Sequence, residues 1–303
     1  MSRTVIAGID GSPASLAAAE WAAREARRRR LPLKLLHAME EWIPSYGYTT
    51  QTEATPSPQY WAERIPREVA LQLTERHPGL EITTEQVDGR PLTVLVAAAQ
   101  EAEVLILGSR GLGAMTGFLV GSVSQAVLAH AECPVVVVRP GDWLNADCLP
   151  VSGSDGARRL VDRSVVLGLD LSNPSAELLD HAFDAAAVRR APLHVIHRWS
   201  MPPAFAFDPT LLAPEVRDGM ATSTATALAD ELRPWRDKYP EVRVEVDCSV
   251  GQPANQLVEA SADASLVVVG RRIRRSAIGT HLGPVVHAVL HHATAPVAVV
   301  PHA

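Results

Sequence analysis

The chain has 303 residues, 47% of them hydrophobic and 20% charged, with a net charge of −6. This composition is ordinary for a globular protein able to bury cores, and the negative balance argues against a nucleic-acid coat or an anionic membrane as main partner. No apolar run approaches the ~20 residues of a spanning helix, no signal-peptide pattern opens the chain, and Cys133, Cys148 and Cys248 lack metal spacing, so a cytoplasmic protein in a reducing compartment is expected.

Residues 4–9 read as a short apolar strand and residues 13–30 as an alanine-rich helix. Pro13 suits its first turn, and Arg27, Arg28, Arg29 and Arg30 suit the negative end of its dipole. A second strand follows at 33–37. A polar, proline-rich loop over 43–58 then leads to a helix ending at Arg76, which Pro66 is expected to break or kink. Residues 81–87 read as strand three, 92–99 as a helix, 104–107 as strand four, 120–130 as a helix and 135–138 as strand five. Near-continuous Val, Ile and Leu runs separated by helices indicate parallel strands covered on both faces. Residues 140–161 are enriched in Pro, Gly, Ser and Asp and read as a linker.

The same elements then recur. Asp10 answers to Asp170, His37 to His197, Gly108 to Gly270, Gly121 to Gly283 and Pro134 to Pro296. The offset is 160 residues early and 162 later, so the second copy carries a small net insertion after its second strand. The chain is a duplication, expected as a domain over 1–141, a linker over 142–161 and a second domain over 162–303. Each is predicted to be an α/β doubly wound domain, a five-stranded parallel sheet of order 3-2-1-4-5 with helices on both faces. In that order strands one and four are neighbours at the switch point, where such folds bind ligands beyond the strands' carboxyl ends, so Asp10 and Gly108 should converge. Strand five would be a bare edge in each half. Residues 135–138 and 297–300 are therefore expected to cover each other as an intrachain pseudo-dimer; whether two chains also form a homodimer is left open.

The most informative stretch follows strand four. It reads Gly108-Ser109-Arg110-Gly111, nine residues, then Gly121-Ser122. Glycine lets a backbone approach a ligand closely, and a helix N-terminus offers free N–H groups to an anion. The spacing fits neither a Rossmann nor a Walker loop.

This pattern, behind an N-terminal strand ending Asp-Gly-Ser, resembles the universal stress protein family in its tandem-domain form, over both halves of the chain. The resemblance implies a five-stranded parallel α/β domain in each half and, from the subgroup that binds ATP, a nucleotide site in the first. It would put adenosine near Ile9, Asp10, His37 and Ala38, and the phosphates at Gly108, Gly111, Gly121, Ser122, Val123 and Ser124, with Leu107 and Arg110 beside them. Asp10 would accept hydrogen bonds from the nucleoside, and Ser122 and Ser124 would donate to phosphate. Asp170, Gly270 and Gly283 keep the pattern in the second half. There, however, Ile273 stands for Gly111 and Pro284 for Ser122, so two donors are lost and ATP is expected to bind weakly or not at all. Arg271, Arg272, Arg274 and Arg275 crowd that loop.

Plainer roles compete. Asp10 could simply order a turn, His37 could be packed at a strand end, and Cys133 could be a small buried residue. His287, His291 and His292 could solvate a helix end. The function expected is an ATP-binding regulatory module in stress response, read by a protein partner. One alternative is a slow ATPase or autophosphorylating enzyme using Asp10, Mg²⁺ and a hydroxyl of Ser109, Thr116 or Ser122. The other is a nucleotide-independent interaction protein.

Overall fold

The computed structural model describes residues 3–39, 58–111, 120–141, 148–152, 158–199, 213–273 and 282–303. The expected loop at 43–57, Thr116, Arg274 and Arg275 lie outside them. The chain divides into two compact units, Met1–Gly141 and Asp142–Ala303.

In the first unit β1 (Thr4–Gly8), β2 (Leu33–Met39), β3 (Ile82–Asp88), β4 (Ala102–Gly108) and β5 (Val135–Val138) alternate with α1 (Pro13–Arg29), α2 (Pro58–Arg76), α3 (Pro91–Ala99) and α4 (Ser122–His130). The strands pair in parallel in the order β3-β2-β1-β4-β5, the predicted 3-2-1-4-5. Val5, Ile6, Ala7, Leu105 and Ile106 are fully or almost fully buried, as central strands covered on both faces must be. α1 packs closely because its inner face is alanine: Ala18, Ala19, Ala22, Ala23 and Ala26 have no exposed surface. The predicted break at Pro66 does not occur. α2 runs through it, because Pro66, Val69 and Leu73 form one buried stripe whose packing offsets the single backbone bond that proline removes.

The second unit repeats the plan with β8 (Ser164–Gly168), β9 (Leu193–Trp199), β10 (Val244–Val250), β11 (Ala264–Arg272) and β12 (Val297–His302). Its order is β10-β9-β8-β11-β12, again parallel. The helices are α5 (Ala176–Arg189), α6 (Pro214–Lys238), α7 (Pro253–Ala260) and α8 (Pro284–His292). The duplication extends to detail: α1 and α5 both end on an arginine in the left-handed conformation, Arg30 (φ 56°) and Arg190 (φ 52°). The stretch read as a linker contains an antiparallel ribbon, β6 (Cys148–Ser152) with β7 (Arg158–Asp162). A two-stranded ribbon tolerates Pro150 because each strand is an edge.

Candidate functional site

The site of the first unit is built where β1 and β4 part. β1 runs into α1 through Asp10-Gly11-Ser12, and the turn is held by side chains. Asp10 Oδ1 accepts from the Ser12 N–H at 2.9 Å, and the Asp10 N–H donates to Ser15 Oγ at 3.2 Å. Ser12 caps α1 by accepting from the Ser15 N–H at 3.2 Å, while its own proton goes to the Arg110 carbonyl at 3.2 Å. One hydroxyl therefore fastens the start of α1 to the loop after β4. Ser12 is not among the residues singled out from the sequence, although a serine directly before Pro13 is a helix-cap signal.

That loop is closed at its base. The Ser109 N–H donates to the Val138 carbonyl and the Gly121 N–H to the Ser109 carbonyl, each at 2.7 Å. Gly111 and the start of α4 are thereby brought together, and α4 begins with no side-chain cap on Gly121, so its first N–H groups have no partner within the helix. A β-carbon added at Gly111 would lie 2.7 Å from Asp10 Oδ2. The two motifs found separately in the sequence thus meet in one small space.

Gly108 has a different task. A β-carbon there would lie 2.7 Å from the Ala14 carbonyl carbon and 2.8 Å from the Ser15 nitrogen, so it lets β4 pass against the backbone of α1. Ser124 is buried, and its hydroxyl, expected to donate to phosphate, instead donates to the Gly108 carbonyl at 2.8 Å. Ser122 and Val123 are exposed at the front of α4, and Ser109 is buried. Leu107 lies in the core beside Gly8. His37 Nδ1 lies 2.7 Å from the Ile9 carbonyl, which can only accept, so the proton is on Nδ1 and Nε2 faces away from that bond. Ala38 follows on β2, half-buried and paired with Val87. Arg139, just after β5, is held below the ordinary arginine range by burial and by the charge of Arg110. Its role was not read from the sequence, where nothing marks it beyond its place after strand five.

The second unit keeps the frame and changes the site. Asp170 Oδ1 accepts from the Ser172 N–H at 2.9 Å and hydroxyl at 2.7 Å, and His197 Nδ1 bonds the Leu169 carbonyl at 2.9 Å, as in the first unit. The helix starts later: Ser175, not Ser172, caps α5, accepting from the Leu178 N–H at 3.2 Å. Beyond Gly270 the chain remains a strand, with Arg271 and Arg272 paired to Pro301 and His302, and the Ile273 N–H donates to the His302 carbonyl at 2.7 Å. A β-carbon at Gly270 would meet His302 Nε2 at 2.8 Å and Leu178 Cδ2 at 3.1 Å. Gly283 precedes α8, and among the described residues none lies within 4 Å of a β-carbon placed there. A cleft of about 530 Å³ remains, lined by residues of this unit that include Asp170, Arg198, Leu257, Gly270 and Pro284.

Two plainer readings also resolve. His287 and His291 lie on α8 with ring centroids 4.2 Å apart, but His291 is buried rather than solvating the helix end. Among the described residues no group of three or more His, Cys, Asp or Glu is placed to hold a metal, and no helix is long and apolar enough to cross a membrane. Cys133 is buried, which pushes its thiol up to about 12 and leaves it inert.

Comparison with known proteins follows the duplicated geometry. The profile of the Universal stress protein family matches residues 1–139 and again 150–301. The chain is 33% identical over 305 residues to a universal stress protein of Mycolicibacterium smegmatis, covering 98% of this chain and 96% of that one. It is 33% identical over 307 residues to a universal stress protein of Mycobacterium tuberculosis, covering 97% and 96%. The crystal structure of a universal stress protein from Archaeoglobus fulgidus aligns over the whole of both chains with a TM-score of 0.64 at 17% identity, a likeness of fold.

Proposed function

From the premise that the chain belongs to the universal stress protein family through both of its halves, we propose that its first unit binds ATP and serves as a nucleotide-dependent regulatory module read by a protein partner. The observation that carries this reading is the meeting of Gly111, the uncapped start of α4 and the Asp10 carboxylate at one loop base. Adenosine lies against Ile9, Asp10, His37 and Ala38, with Asp10 accepting from the ribose. The phosphates lie along Gly111, Gly121, Ser122 and Val123, where the first-turn N–H groups of α4, which have no partner within the helix, and the positive end of α4 face them. Mg²⁺ arrives on the phosphates in this reading, since it is commonly held by one or two carboxylates and the nucleotide itself.

Magnitudes show that no single contact suffices. Micromolar binding requires about 8 kcal/mol. A helix N-terminus contributes about 0.3–1 kcal/mol, up to ~2 in favourable geometry, and a hydrogen bond to a charged group about 1.5–3. Several phosphate contacts and a buried base must act together.

Calorimetry with ATP tests this. One ATP per chain is expected, and Gly111→Ile, which copies the second unit, should weaken binding by at least about tenfold, on the order of one lost charge-assisted bond, while the fold is kept. Absence of ATP binding to the unaltered chain, or an unchanged affinity in Gly111→Ile, overturns the assignment. Phosphate release that disappears in Asp10→Ala would move the reading to an ATPase.

A further inference from the structure

The duplication places an outer strand at the same position in each unit, and the two strands are finished differently. Among the described residues β3 pairs only with β2 and β10 only with β9, so each has one bare side. The bonds at the ends of the β9–β10 ladder run from the Leu193 N–H to the Arg243 carbonyl and from the Gly251 N–H to the Trp199 carbonyl. They turn the odd-numbered residues of β10 toward β9, so the backbone N–H and C=O groups of Val244, Val246, Cys248 and Val250 point outward. On β3 the matching bonds, from Leu33 to Glu81 and from Gly89 to Met39, turn out Ile82, Thr84, Gln86 and Asp88. Thr84, Gln86 and Asp88 are exposed and polar, a guarded edge. Their counterparts on β10 are Val246, Cys248 and Val250, and both valines are 44% exposed. β10 contains neither lysine nor proline, the usual guards. Its two acids, Glu245 and Asp247, sit on residues that face β9 and already have partners in Arg243 and Arg198. Such an edge is a template for another strand.

Register shows that a second copy of β10 fits it. In a closed dimer the same patch meets itself about a twofold axis, so the two strands run antiparallel. Outward residues must then face outward residues, which requires the axis to pass through one residue. An axis through Val246 sets Glu245 opposite Asp247 of the second copy, and an axis through Asp247 sets that carboxylate against itself. Like charges directly opposite are destabilising. An axis through Ser249 separates the acids but overlaps only residues 248–250 of the strand. An axis through Cys248 overlaps residues 246–250 and sets Asp247 opposite Ser249, Glu245 opposite Gly251 and Val246 opposite Val250. No acid then faces an acid, and the exposed valines of each copy cover those of the other.

We propose that β10 is a dimerisation edge, through which two copies of the chain pair antiparallel with the twofold axis at Cys248. The paired stretch is short, so the dimer is a weak one that forms with rising concentration. Opposed residues of a bonded antiparallel pair have α-carbons about 5.5 Å apart, within the ~4.4–6.8 Å that a disulfide spans, so Cys248 reports the register. Sedimentation equilibrium of the full chain in reducing buffer tests the pairing. A concentration-dependent equilibrium of monomer and dimer is expected. Val246→Lys should weaken it at least about tenfold, while Thr84→Lys, at the counterpart position on β3, should leave it unchanged. Adding Val250→Glu to Val246→Lys should recover most of the loss, because the register sets those two positions opposite each other. Brief oxidation of a Cys148→Ser chain, in which Cys133 is buried, should give a disulfide-linked dimer that Cys248→Ser abolishes. Circular dichroism confirms the fold of each variant. The proposal is overturned if the chain stays monomeric at every concentration, if Val246→Lys dimerises as before, or if Thr84→Lys weakens the dimer equally. Failure of Val250→Glu to restore association, or of oxidation to link Cys248, refutes the axis.

Discussion

Gly108 and Gly111 look alike in the sequence and carry different obligations. The missing β-carbon of Gly108 faces main-chain atoms of Ala14 and Ser15, and a helix backbone cannot turn aside. Among the described residues that of Gly111 meets Oδ2 of Asp10, not the oxygen that holds Ser12, and a side-chain end can yield where a backbone cannot. Gly108→Ala is therefore expected to destabilise the first unit by about 1–3 kcal/mol, the ordinary range for overpacking, whereas Gly111→Ala leaves the denaturant midpoint almost unchanged. Chemical denaturation followed by tryptophan fluorescence checks the pair; equal midpoints would show that the packing role of Gly108 is wrong. Motif spacing could locate both glycines, because glycine and serine in register are visible in one dimension. Which glycine answers to packing could not be read there, since the contact is with a helix 94 positions away between Gly108 and Ala14. Ser124 teaches the same lesson: the family resemblance implied a donor to ligand, and the nearby Gly108 carbonyl shows where its proton goes.

At the scale of elements, Ser12 joins two pieces that the sequence presents separately. Its oxygen accepts from the first turn of α1, and its proton goes to the loop after β4. Ser12→Ala is expected to lower stability by about 1 kcal/mol, as loss of a cap does, and also to weaken ATP binding by loosening the loop at Arg110. Ser12→Asp restores the cap, since a carboxylate accepts, but not the bond to the Arg110 carbonyl, which needs a donor. Melting temperature should recover in Ser12→Asp while ATP affinity does not; recovery of both would refute the clasp. The second unit shows how little sequence change moves such a device. Asn173 and Pro174 follow Ser172, and the cap passes to Ser175. Position and parallel type of the sheet strands were legible from apolar runs, as was the alternation with helices, while their order followed from the doubly wound fold that this alternation implies. The ribbon of β6 and β7 was not, because Gly, Ser and Asp between short apolar groups signal both a linker and a hairpin turn. Pro66 misled for a related reason: proline removes one bond from any helix, but the stripe that outweighs it appears only when packing is known.

Across the molecule the duplication is deep in the frame and shallow in the sites. Strand order, the Asp turn, the His-to-carbonyl bond and the left-handed arginine caps repeat, while the loops and clefts differ in what they can hold. The second unit also carries a charge pattern that ties its stability to pH. Asp247 is held below the ordinary carboxylate range by its hydrogen bonds from Arg198, which outweigh the opposing effect of burial. Glu177 is lowered by its own backbone N–H and by Ser175. For Asp180 burial pushes upward, but the hydrogen bonds from Lys238 and Tyr239 prevail and lower it. A carboxyl group whose folded pKa lies below its unfolded value contributes stability that is complete above the unfolded pKa, about 4, and is lost as pH falls through the folded one. The second unit should therefore weaken progressively below about pH 4. Asp247→Asn removes one of these groups and leaves Arg198 buried without its carboxylate, so the variant should be less stable than the parent at pH 7. The difference should shrink as pH falls, because acid neutralises Asp247 in the parent as well. Denaturant midpoints for parent and variant at pH 7, 4 and 2.5 check this. A difference that stayed constant, or widened toward acid, would mean that the Arg198 pair does not hold the end of β9 to β10 as its geometry indicates.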